Sequence, residues 1–458
     1  MINSNVNITL GEEQEKAYNM VIKFIEDKQA PACLYYGSAG TGKSILVNYI
    51  INWCEQHNVS YTLCAPTHKA ALVLSRYTNR NAITLHKLLS LSPNLDIFAL
   101  DFNNLMFKIM MQKSADMPYD GVIICDECSM INDDLYDVLL TKAKEFNNQI
   151  VFTGDFAQLQ PVKQEYITKV SHTEPRIELT KIWRQTNENG LIPVLQTLRT
   201  HSINHFDNSI GEQGSLLVTH DMKEFLKTAR EQFKLAISNS DILKTKILCF
   251  TNDRVKAYNN ALHKTLFGED CIYHKGEFLI GNENLEFNKF KFYNSMDYII
   301  VNNPIQTDIL IPNFGKLPGW RLELYDSLTK QSENISILSK DISKDYIESL
   351  TCKIEDYRQQ AVSWKTINKA KSNFYWKKYF DIMGSFTTPF DMYYDNRLIR
   401  KKSFDFSYAI TSHKSQGSSF DDVLVDIRNI NSCTNEDVRR QLQYVALSRT
   451  RQNVLIYQ

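Results

Sequence analysis

The 458-residue chain lacks long hydrophobic runs and a net charge. Apolar stretches such as AALVL and VIIC fall far short of the roughly 18 residues that a membrane-spanning helix needs, so no contact with a membrane is expected. The opening segment MINSNVNITLGEEQEK has no basic start followed by an apolar stretch, and we therefore expect no secretory signal. Lysine and arginine number 52, as do aspartate and glutamate. This balance excludes a strongly basic nucleic-acid coat and a strongly acidic tail, so a polyanion must be bound by locally placed groups.

The nine cysteines do not form a disulfide framework either. Their number is odd and their positions are scattered, which is typical of reduced, intracellular thiols and predicts a cytoplasmic protein. Cys125 and Cys128 have the spacing of metal ligands, but no second pair lies nearby, and we do not expect a zinc site.

Strands and helices alternate in two parts of the sequence. In the first part, from about residue 32 to 153, the apolar strands ACLYY, YTLCA, GVIICD and QIVFTGD are separated by segments with helical periodicity. The second part starts with KILCFTN (246–252) and resumes with FDFSYAIT (404–411), DDVLVDI (421–427) and NVLIYQ (453–458). This spacing predicts an α/β fold with parallel sheets covered on both faces. The interval of about 275–403 predicts an inserted, mostly β subdomain with some helix.

Glycine is scarce, with only 16 residues, yet three glycines fall within six positions after the first strand. The segment that holds them consists of Gly37, Ser38, Ala39, Gly40, Thr41, Gly42, Lys43 and Ser44. Glycines let backbone amides curl around phosphate oxygens, and the helix that follows adds the positive end of its dipole. Lys43 sets its positive charge beside the β- and γ-phosphates, and the hydroxyl of Ser44 binds Mg²⁺. The segment predicts a site for a nucleoside triphosphate.

Asp126 and Glu127 end an apolar strand about 80 residues later. A carboxylate at that position can hold Mg²⁺ through water, and the neighbouring glutamate can polarise an attacking water. Because parallel strands bring their carboxyl ends to one edge of a sheet, we expect these acids close to Lys43.

Further polar motifs surround these two. Gln14 precedes the phosphate loop, where an amide can read the donor and acceptor of an adenine edge. The other motifs are APTHKAA (65–71), TLH (84–86), GDFAQLQP (154–161), LTKIWRQ (179–185), YAITSHKSQG (408–417) and YVALSRTR (444–451).

The order and spacing of these motifs resemble superfamily 1 helicases, and within them the RecD-like branch, superfamily 1B, with its bacteriophage members. The motifs extend from residue 11 to 451, nearly the whole chain. The resemblance implies two RecA-like P-loop NTPase domains with ATP between them. Domain 1 would comprise residues 1–88 and 114–185 with a pin insert at 89–113, and domain 2 would comprise 186–275 and 404–458 with an SH3-like, tower-bearing insert at 276–403.

The resemblance also assigns roles around the nucleotide. Gln14 would contact the adenine, Gln158 would sense the γ-phosphate, and Gln416 and Gly417 would approach the nucleotide from the second domain. Arg184 and Arg449 would act as arginine fingers, clamping the transferring phosphoryl group. From the residues alone, three alternatives stay open: an interdomain salt bridge for Arg184, Arg451 in place of Arg449, and Gln160 in place of Gln158.

A second group of polar side chains lies just past predicted strands and can bond DNA phosphates without reading a sequence. Its members are Thr67, His68, Thr84, His86, Thr251, Asn252 and His413. The alternative for each is a helix cap or a satisfied core group. Phe98 or Phe102 would be the wedge that stacks on the last base pair at a fork, unless both phenylalanines pack the insert. In the aromatic and lysine-rich stretch 363–383 we expect a subdomain core with a solvated lysine face, in preference to a second DNA surface.

The motifs predict an ATP- and Mg²⁺-dependent DNA helicase that opens duplexes at single-strand/double-strand junctions. The resemblance implies that it moves 5′ to 3′ on single strands. The resemblance implies a monomer in phage DNA replication or recombination, in the host bacterial cytoplasm if the protein is viral, with a single-strand-binding protein as a partner. The alternatives are a translocase that displaces bound proteins and a non-catalytic, nucleotide-switched DNA-binding factor.

Overall fold

The computed structural model describes residues 9–91, 117–161, 167–183, 189–268, 272–287 and 290–458. None of the helices within these ranges is both long and apolar enough to cross a lipid bilayer.

The first domain is built on a six-stranded sheet in the order β3-β2-β4-β5-β1-β6, with all pairs parallel. Its elements are α1 (Glu12–Asp27), β1 (Ala32–Gly37), α2 (Lys43–Gln56), β2 (Tyr61–Ala65), α3 (His68–Thr78), β3 (Ala82–Thr84), α4 (Leu85–Leu88), β4 (Val122–Cys125), α5 (Asp133–Glu145), β5 (Gln149–Gly154) and β6 (Arg176–Leu179).

Both faces of this sheet are covered, which explains why its strands are apolar at successive positions. Tyr35 of β1 packs in one cluster with residues of α1 and α2, such as Val21 and Ile50. The adjacent Leu34 packs in the other cluster with Leu139 of α5. The four strands predicted for this part are confirmed. The edge strands β3 and β6 escaped prediction because they are short and carry no long apolar run.

The second domain begins after the first sheet with α6 (Leu191–Leu198), β7 (Leu216–Thr219), α7 (Met222–Ser238), β8 (Thr245–Cys249) and α8 (Asn252–Phe267).

An antiparallel insert follows, with strands in the order β13-β14-β12-β9-β18 and with β15 also paired to β14. Its elements are β9 (Phe278–Gly281), β10 (Leu285–Phe287), β11 (Phe290–Phe292), β12 (Asp297–Ile300), β13 (Ile305–Ile311), β14 (Gly315–Asp326), β15 (Gln331–Leu338), α9 (Lys344–Ser363), α10 (Lys369–Met383), β16 (Met392–Tyr394), β17 (Arg397–Arg400) and β18 (Phe404–Phe406). The two helices pack against one end of the sheet through a core of their own, which includes Ile354 and Ile382. The predicted mixture of mostly β structure with some helix is confirmed.

The chain then completes the second domain with β19 (Ala409–Thr411), β20 (Phe420–Asp426), α11 (Ile427–Asn431), α12 (Glu436–Ser448) and β21 (Thr450–Tyr457). Its parallel sheet has the order β19-β8-β20-β21-β7.

The prediction of one strand over 404–411 is wrong. β18 pairs antiparallel with β9 of the insert, whereas β19 pairs parallel with β8 of the second domain. The crossing occurs at two buried residues: Ser407 N donates to Phe278 O at 2.9 Å, and Tyr408 O accepts from Ile247 N at 2.9 Å. Consecutive residues therefore satisfy their backbone groups in two different sheets. The domain boundaries inferred from the motifs stay predictions, but the insert sheet itself extends to residue 406.

Candidate nucleotide site at the domain interface

The phosphate loop lies where the sequence predicts it, between the end of β1 at Gly37 and the start of α2 at Lys43. Gly40 and Gly42 have φ angles of 86° and 82°, which side-chain-bearing residues rarely adopt. The ammonium group of Lys43 donates to Gly37 O at 2.7 Å and to Ser38 O at 2.9 Å, so it lies directly over the loop. Ser44 stands exposed in the first turn of α2.

Gln14 holds this loop from the start of α1. Its Nε2 donates to Thr41 O at 3.0 Å, and its Oε1 accepts from Gly11 N at 2.9 Å. A Cβ atom on Gly42 would lie 2.1 Å from Gln14 Nε2, so the contact requires glycine. Both polar ends of Gln14 thus bond to backbone groups, and its contact with adenine stays a prediction.

Trp183 is a residue of this region that the sequence reasoning missed. Its N–H donates to Gly40 O at 2.8 Å, and a Cβ on Gly11 would lie 2.1 Å from its ring. The ring is 46% exposed beside the loop, with Lys181 Nζ 4.0 Å from its centroid. The signal was present in the motif LTKIWRQ, of which only the arginine was assigned a role. That arginine, Arg184, lies outside the described residues.

Asp126, directly after β4, lies close enough to the phosphate loop for the Lys43 charge to act on its carboxylate, as predicted. Asp126 Oδ1 accepts from Glu127 N at 2.8 Å, and Glu127 adopts the left-handed conformation with φ 52°. Burial, with a smaller contribution from the Glu127 charge, raises the pKa of Asp126 to about 7, while Lys43 acts in the opposite direction. Lys43 does not fully offset the loss of hydration at the Asp126 carboxylate, and a divalent ion held there would favour its ionised form.

The residues present fit Mg²⁺ and a triphosphate. Several buried polar atoms around the loop have no hydrogen-bond partner among the described residues. They are Ser38 Oγ in the loop, Gln158 Oε1 after β5, and Ser418 Oγ next to Gly417. Phosphate oxygens can accept from the serine hydroxyls, and metal-bound water can donate to the amide oxygen of Gln158. Ser44 and Asp126 would hold the ion.

The loop after β5 connects the two domains. Asp155 Oδ2 accepts from Tyr444 OH of α12 at 2.9 Å and from Gln158 Nε2 at 3.3 Å. Gln416 Nε2 donates to Leu159 O at 3.3 Å. Of the two glutamines weighed as γ-phosphate sensors, Gln158 is buried in this interface. Gln160 instead bonds locally, with its Oε1 3.4 Å from Thr168 N. Burial in the interface distinguishes Gln158 from Gln160, and the contact of Gln158 with the γ-phosphate stays a prediction.

Arg449 lies buried in the same interface. Its guanidinium donates to Val445 O at 3.2 Å, to Ser448 Oγ at 3.1 Å and to Ser418 O at 3.5 Å, and it forms no ion pair with any described residue. Its charge contributes to lowering the pKa of Lys69 in the first domain, after the larger effect of burial. A buried guanidinium without an anion is suited to a phosphate.

Two neighbouring residues bear on the choice of Arg449 as the arginine finger and on how the domains meet. Arg451, the alternative finger, is 41% exposed and already pairs with Asp421 at 3.4 Å, which favours Arg449. Gly417 has a φ angle of 71°, and a Cβ there would lie 3.9 Å from the backbone of Ala70 in α3. The second domain therefore approaches the first at the start of α3.

For the predicted DNA contacts, the structure shows the helix-cap alternative at three threonines. Thr67, Thr84 and Thr251 accept from the amides of Ala70, Lys87 and Arg254 at 3.1, 3.2 and 3.4 Å. Capping uses an acceptor lone pair of each hydroxyl, so DNA contact stays a prediction for these residues.

The remaining polar candidates are three histidines and an asparagine. His68 stacks on Tyr293 of the insert with a 4.5 Å centroid separation. Burial lowers the pKa of His68, His86 and His413, so these imidazoles are neutral at pH 7, and Asn252 is exposed at the start of α8. Phe98 and Phe102 lie outside the described residues.

The expectation that the aromatic residues of 363–383 form a core is wrong for Phe374 and Phe380. These rings are 53% and 58% exposed on α10. Tyr375 and Tyr379 do pack against the core of the insert, as predicted.

Two parallel-sheet domains that face each other across a phosphate loop, with a buried arginine supplied by the second, define a two-domain P-loop NTPase. Residues 9–230 match the AAA domain family AAA_30, and residues 406–457 match the UvrD-like helicase C-terminal domain.

Relatives of similar length extend this match. The ATP-dependent DNA helicase Dda of enterobacteria phage T4 is 27% identical over 97% of this chain and 98% of its own. The ATP-dependent DNA helicase Pif1 of Campylobacter jejuni is 25% identical over 90% of this chain and 85% of its own.

Two solved structures share the fold. Pif1 from Candida albicans has a TM-score of 0.50 at 18% identity, covering 98% of this chain and 95% of its own. Pif1 from Bacteroides, in complex with ADP-AlF3 and single-stranded DNA, has a TM-score of 0.51 at 16% identity, covering 98% and 92%. The chain is therefore similar, along nearly its whole length, to the Pif1/Dda-like helicases of superfamily 1B.

Proposed function

We propose that this protein is an ATP-driven DNA helicase that moves 5′ to 3′ along single-stranded DNA and opens duplexes at single-strand/double-strand junctions. It uses Mg²⁺, works as a monomer in the cytoplasm, and cooperates with a single-strand-binding protein in phage DNA replication or recombination. The observation that carries this proposal is the interface in which Tyr444, Gln416 and Arg449 of the second domain meet the motifs of the first. Motion of one domain against the other therefore changes the surroundings of the phosphate loop.

The residues divide the chemistry as follows. Lys43 and the loop amides bind the β- and γ-phosphates, and Ser44 and Asp126 hold Mg²⁺. When bound, Mg²⁺ neutralises part of the phosphate charge and orients the triphosphate. Glu127 polarises the attacking water. Arg449 stabilises the charge that develops on the transferring phosphoryl group, which it reaches only from the second domain.

Movement follows from the division of DNA contacts between the domains. His68 belongs to the first domain, whereas Asn252 and His413 belong to the second. Closing the cleft on ATP draws the two groups of contacts together, and hydrolysis with product release separates them. Alternating grip on one strand gives net translocation.

Replacing Lys43 by Ala tests the nucleotide site. We expect DNA-stimulated ATP hydrolysis to fall by at least about a hundredfold, because the variant lacks the positive charge that stabilises the transferring phosphoryl group. Phosphate release with and without single-stranded DNA measures it. The control is Lys16→Ala, which removes an exposed lysine on α1 of the same domain and should leave hydrolysis as in the unmodified protein. Normal turnover in the Lys43→Ala variant would refute the assignment.

Polarity is tested by strand displacement on partial duplexes that carry a single-stranded tail at either the 5′ or the 3′ end. We expect displacement on the 5′-tailed substrate. Displacement confined to the 3′-tailed substrate would refute the proposed direction.

A further inference from the structure

The loop that follows β5 belongs to the first domain in sequence but is held by the second in space. Leu159 is buried in the core of the second domain together with Leu442 of α12. Gln416 Nε2 donates to Leu159 O at 3.3 Å. Tyr444 OH, also on α12, donates to Asp155 Oδ2 at 2.9 Å. Three different contacts thus tie this loop to the second domain.

Asp155 lies at the centre of this arrangement. It is 1% exposed and forms no ion pair with a described residue, and donors satisfy its charge instead. Its Oδ1 accepts from Ala157 N at 3.1 Å, and its Oδ2 accepts from Tyr444 OH and from Gln158 Nε2. A buried carboxylate with this donor set is sensitive to the loss of any one donor.

The carboxylate also determines the orientation of the Gln158 amide. Because an ionised carboxylate can only accept, the NH₂ group of Gln158 must face Asp155. Its Oε1 is consequently the end that does not bond to Asp155. This oxygen is buried and has no partner among the described residues. It can therefore accept a hydrogen bond from a ligand or a water molecule.

The hydroxyl of Tyr444 lies close to the phosphate loop as well. Burial and the charge of Asp155 raise the pKa of Tyr444 well above its ordinary value, while the backbone amide of Ala39 in the loop acts in the opposite direction. The hydroxyl is therefore protonated at neutral pH and serves as a donor to Asp155.

We propose that Tyr444 is a positioning residue for ATP hydrolysis: its hydroxyl fixes Asp155, and Asp155 in turn holds the Gln158 amide with its carbonyl oxygen free to accept a hydrogen bond from the attacking water. The inference rests on the proposed function, because it requires hydrolysis at the site of Lys43. Since Tyr444 comes from the second domain, the water-orienting amide is set only while the two domains touch at this point. Domain contact and hydrolysis are thereby coupled.

The variant Tyr444→Phe tests this, since it removes the hydroxyl and keeps the buried ring. The turnover number for DNA-stimulated ATP hydrolysis should fall roughly tenfold to a hundredfold, because a hydrogen bond to a charged group is lost. The KM for ATP should change by less than about twofold, because the bond acts on the reacting water and not on nucleotide binding. Both constants come from steady-state phosphate release at saturating single-stranded DNA.

Tyr258→Phe is the matched control. Tyr258 OH donates to Asp426 Oδ2 at 2.8 Å, a buried tyrosine–carboxylate bond wholly inside the second domain. Its removal tests the general effect of losing such a bond on stability. We expect the turnover number of Tyr258→Phe to stay within about twofold of the unmodified protein. Equal turnover in the Tyr444→Phe and Tyr258→Phe variants would overturn the inference.

The route through Gln158 is tested by the double variant Tyr444→Phe/Gln158→Ala. If Tyr444 acts through Gln158, the double variant loses no more turnover than Gln158→Ala alone. Losses that multiply would overturn this route. If the unmodified protein showed no DNA-stimulated hydrolysis, the proposed function would fail, whereas normal turnover of Tyr444→Phe in an otherwise active enzyme would overturn the present inference alone.

Discussion

At the scale of single residues, one buried carboxylate joins three parts of the chain. Asp297 of the insert accepts from Lys246 of the second domain at 3.2 Å and lies 3.9 Å from Lys69 of the first. Burial acts to raise the pKa of Asp297, but Lys246 and Lys69 together hold it below its ordinary value. Asp297 therefore stays ionised at neutral pH, and its contribution to stability is lost only as the pH falls through that lowered pKa.

Lys246→Met should destabilise the protein by about 3–5 kcal/mol, because it leaves the buried Asp297 with the Ser407 hydroxyl and, as its cation, the more distant Lys69. Urea denaturation at pH 7 measures the loss. Lys244→Met, two residues earlier, removes a partly exposed lysine that pairs with Asp421 and Asp422, and it should cost less than about 1 kcal/mol. Similar losses for the two variants would show that Lys246 contributes no more than a surface ion pair.

At the scale of elements, α10 shows how a helix that is aromatic along most of its length divides its residues. Tyr375 and Tyr379 lie four positions apart and face the core of the insert, together with Ile382. Phe374 and Phe380 face outward, where Phe380 stacks on Trp376 and Lys378 lies over Phe374. Aromatic content alone did not indicate which rings are buried; the helical repeat and the position of the neighbouring sheet did.

Replacing Phe374 and Phe380 together by Ser should change the free energy of unfolding by less than about 1 kcal/mol, because both rings are more than half exposed. Ile382→Ala, on the opposite face of α10, should cost about 2–5 kcal/mol, because Ile382 is fully buried. Chemical denaturation of the two variants beside the unmodified protein measures this. A larger loss for the phenylalanine pair than for Ile382 would mean that the outward rings are packed in solution.

At the scale of the whole molecule, the nucleotide site is assembled from both domains. The phosphate loop and Asp126 belong to the first, and Arg449 belongs to the second. A ligand that binds such a site must stabilise the native protein, because the unfolded chain does not form the binding site.

A non-hydrolysable ATP analogue with Mg²⁺ at 100 times its dissociation constant should add about 2.7 kcal/mol to the free energy of unfolding. The shift of the denaturation midpoint gives this value. The Lys43→Ala variant at the same analogue concentration should gain much less, since the charge that binds the phosphates is absent. An equal gain in that variant would place the nucleotide elsewhere.

The sequence by itself determined the parts whose physics is local. Gly40, Gly42, Lys43 and Ser44 are close together in the chain, and the left-handed turns and helix start that they need are specified by those residue types alone. The buried strands β1, β2, β4 and β5 were likewise readable, because a strand covered on both faces must be apolar at successive positions.

Only the tertiary structure decided which distant groups meet. Tyr444 and Asp155 are 289 positions apart, and Lys246 and Asp297 are in different sheets. The passage from β18 to β19 offered no signal either, because each strand has only three residues and the two follow each other closely in the chain, although they pair in different sheets. The chemistry of a tyrosine or a carboxylate does not indicate which distant residue it will bond to. The complete fold determines which two polar groups are buried together. The identity of that partner follows from how the two domains pack, which no short stretch of residues encodes.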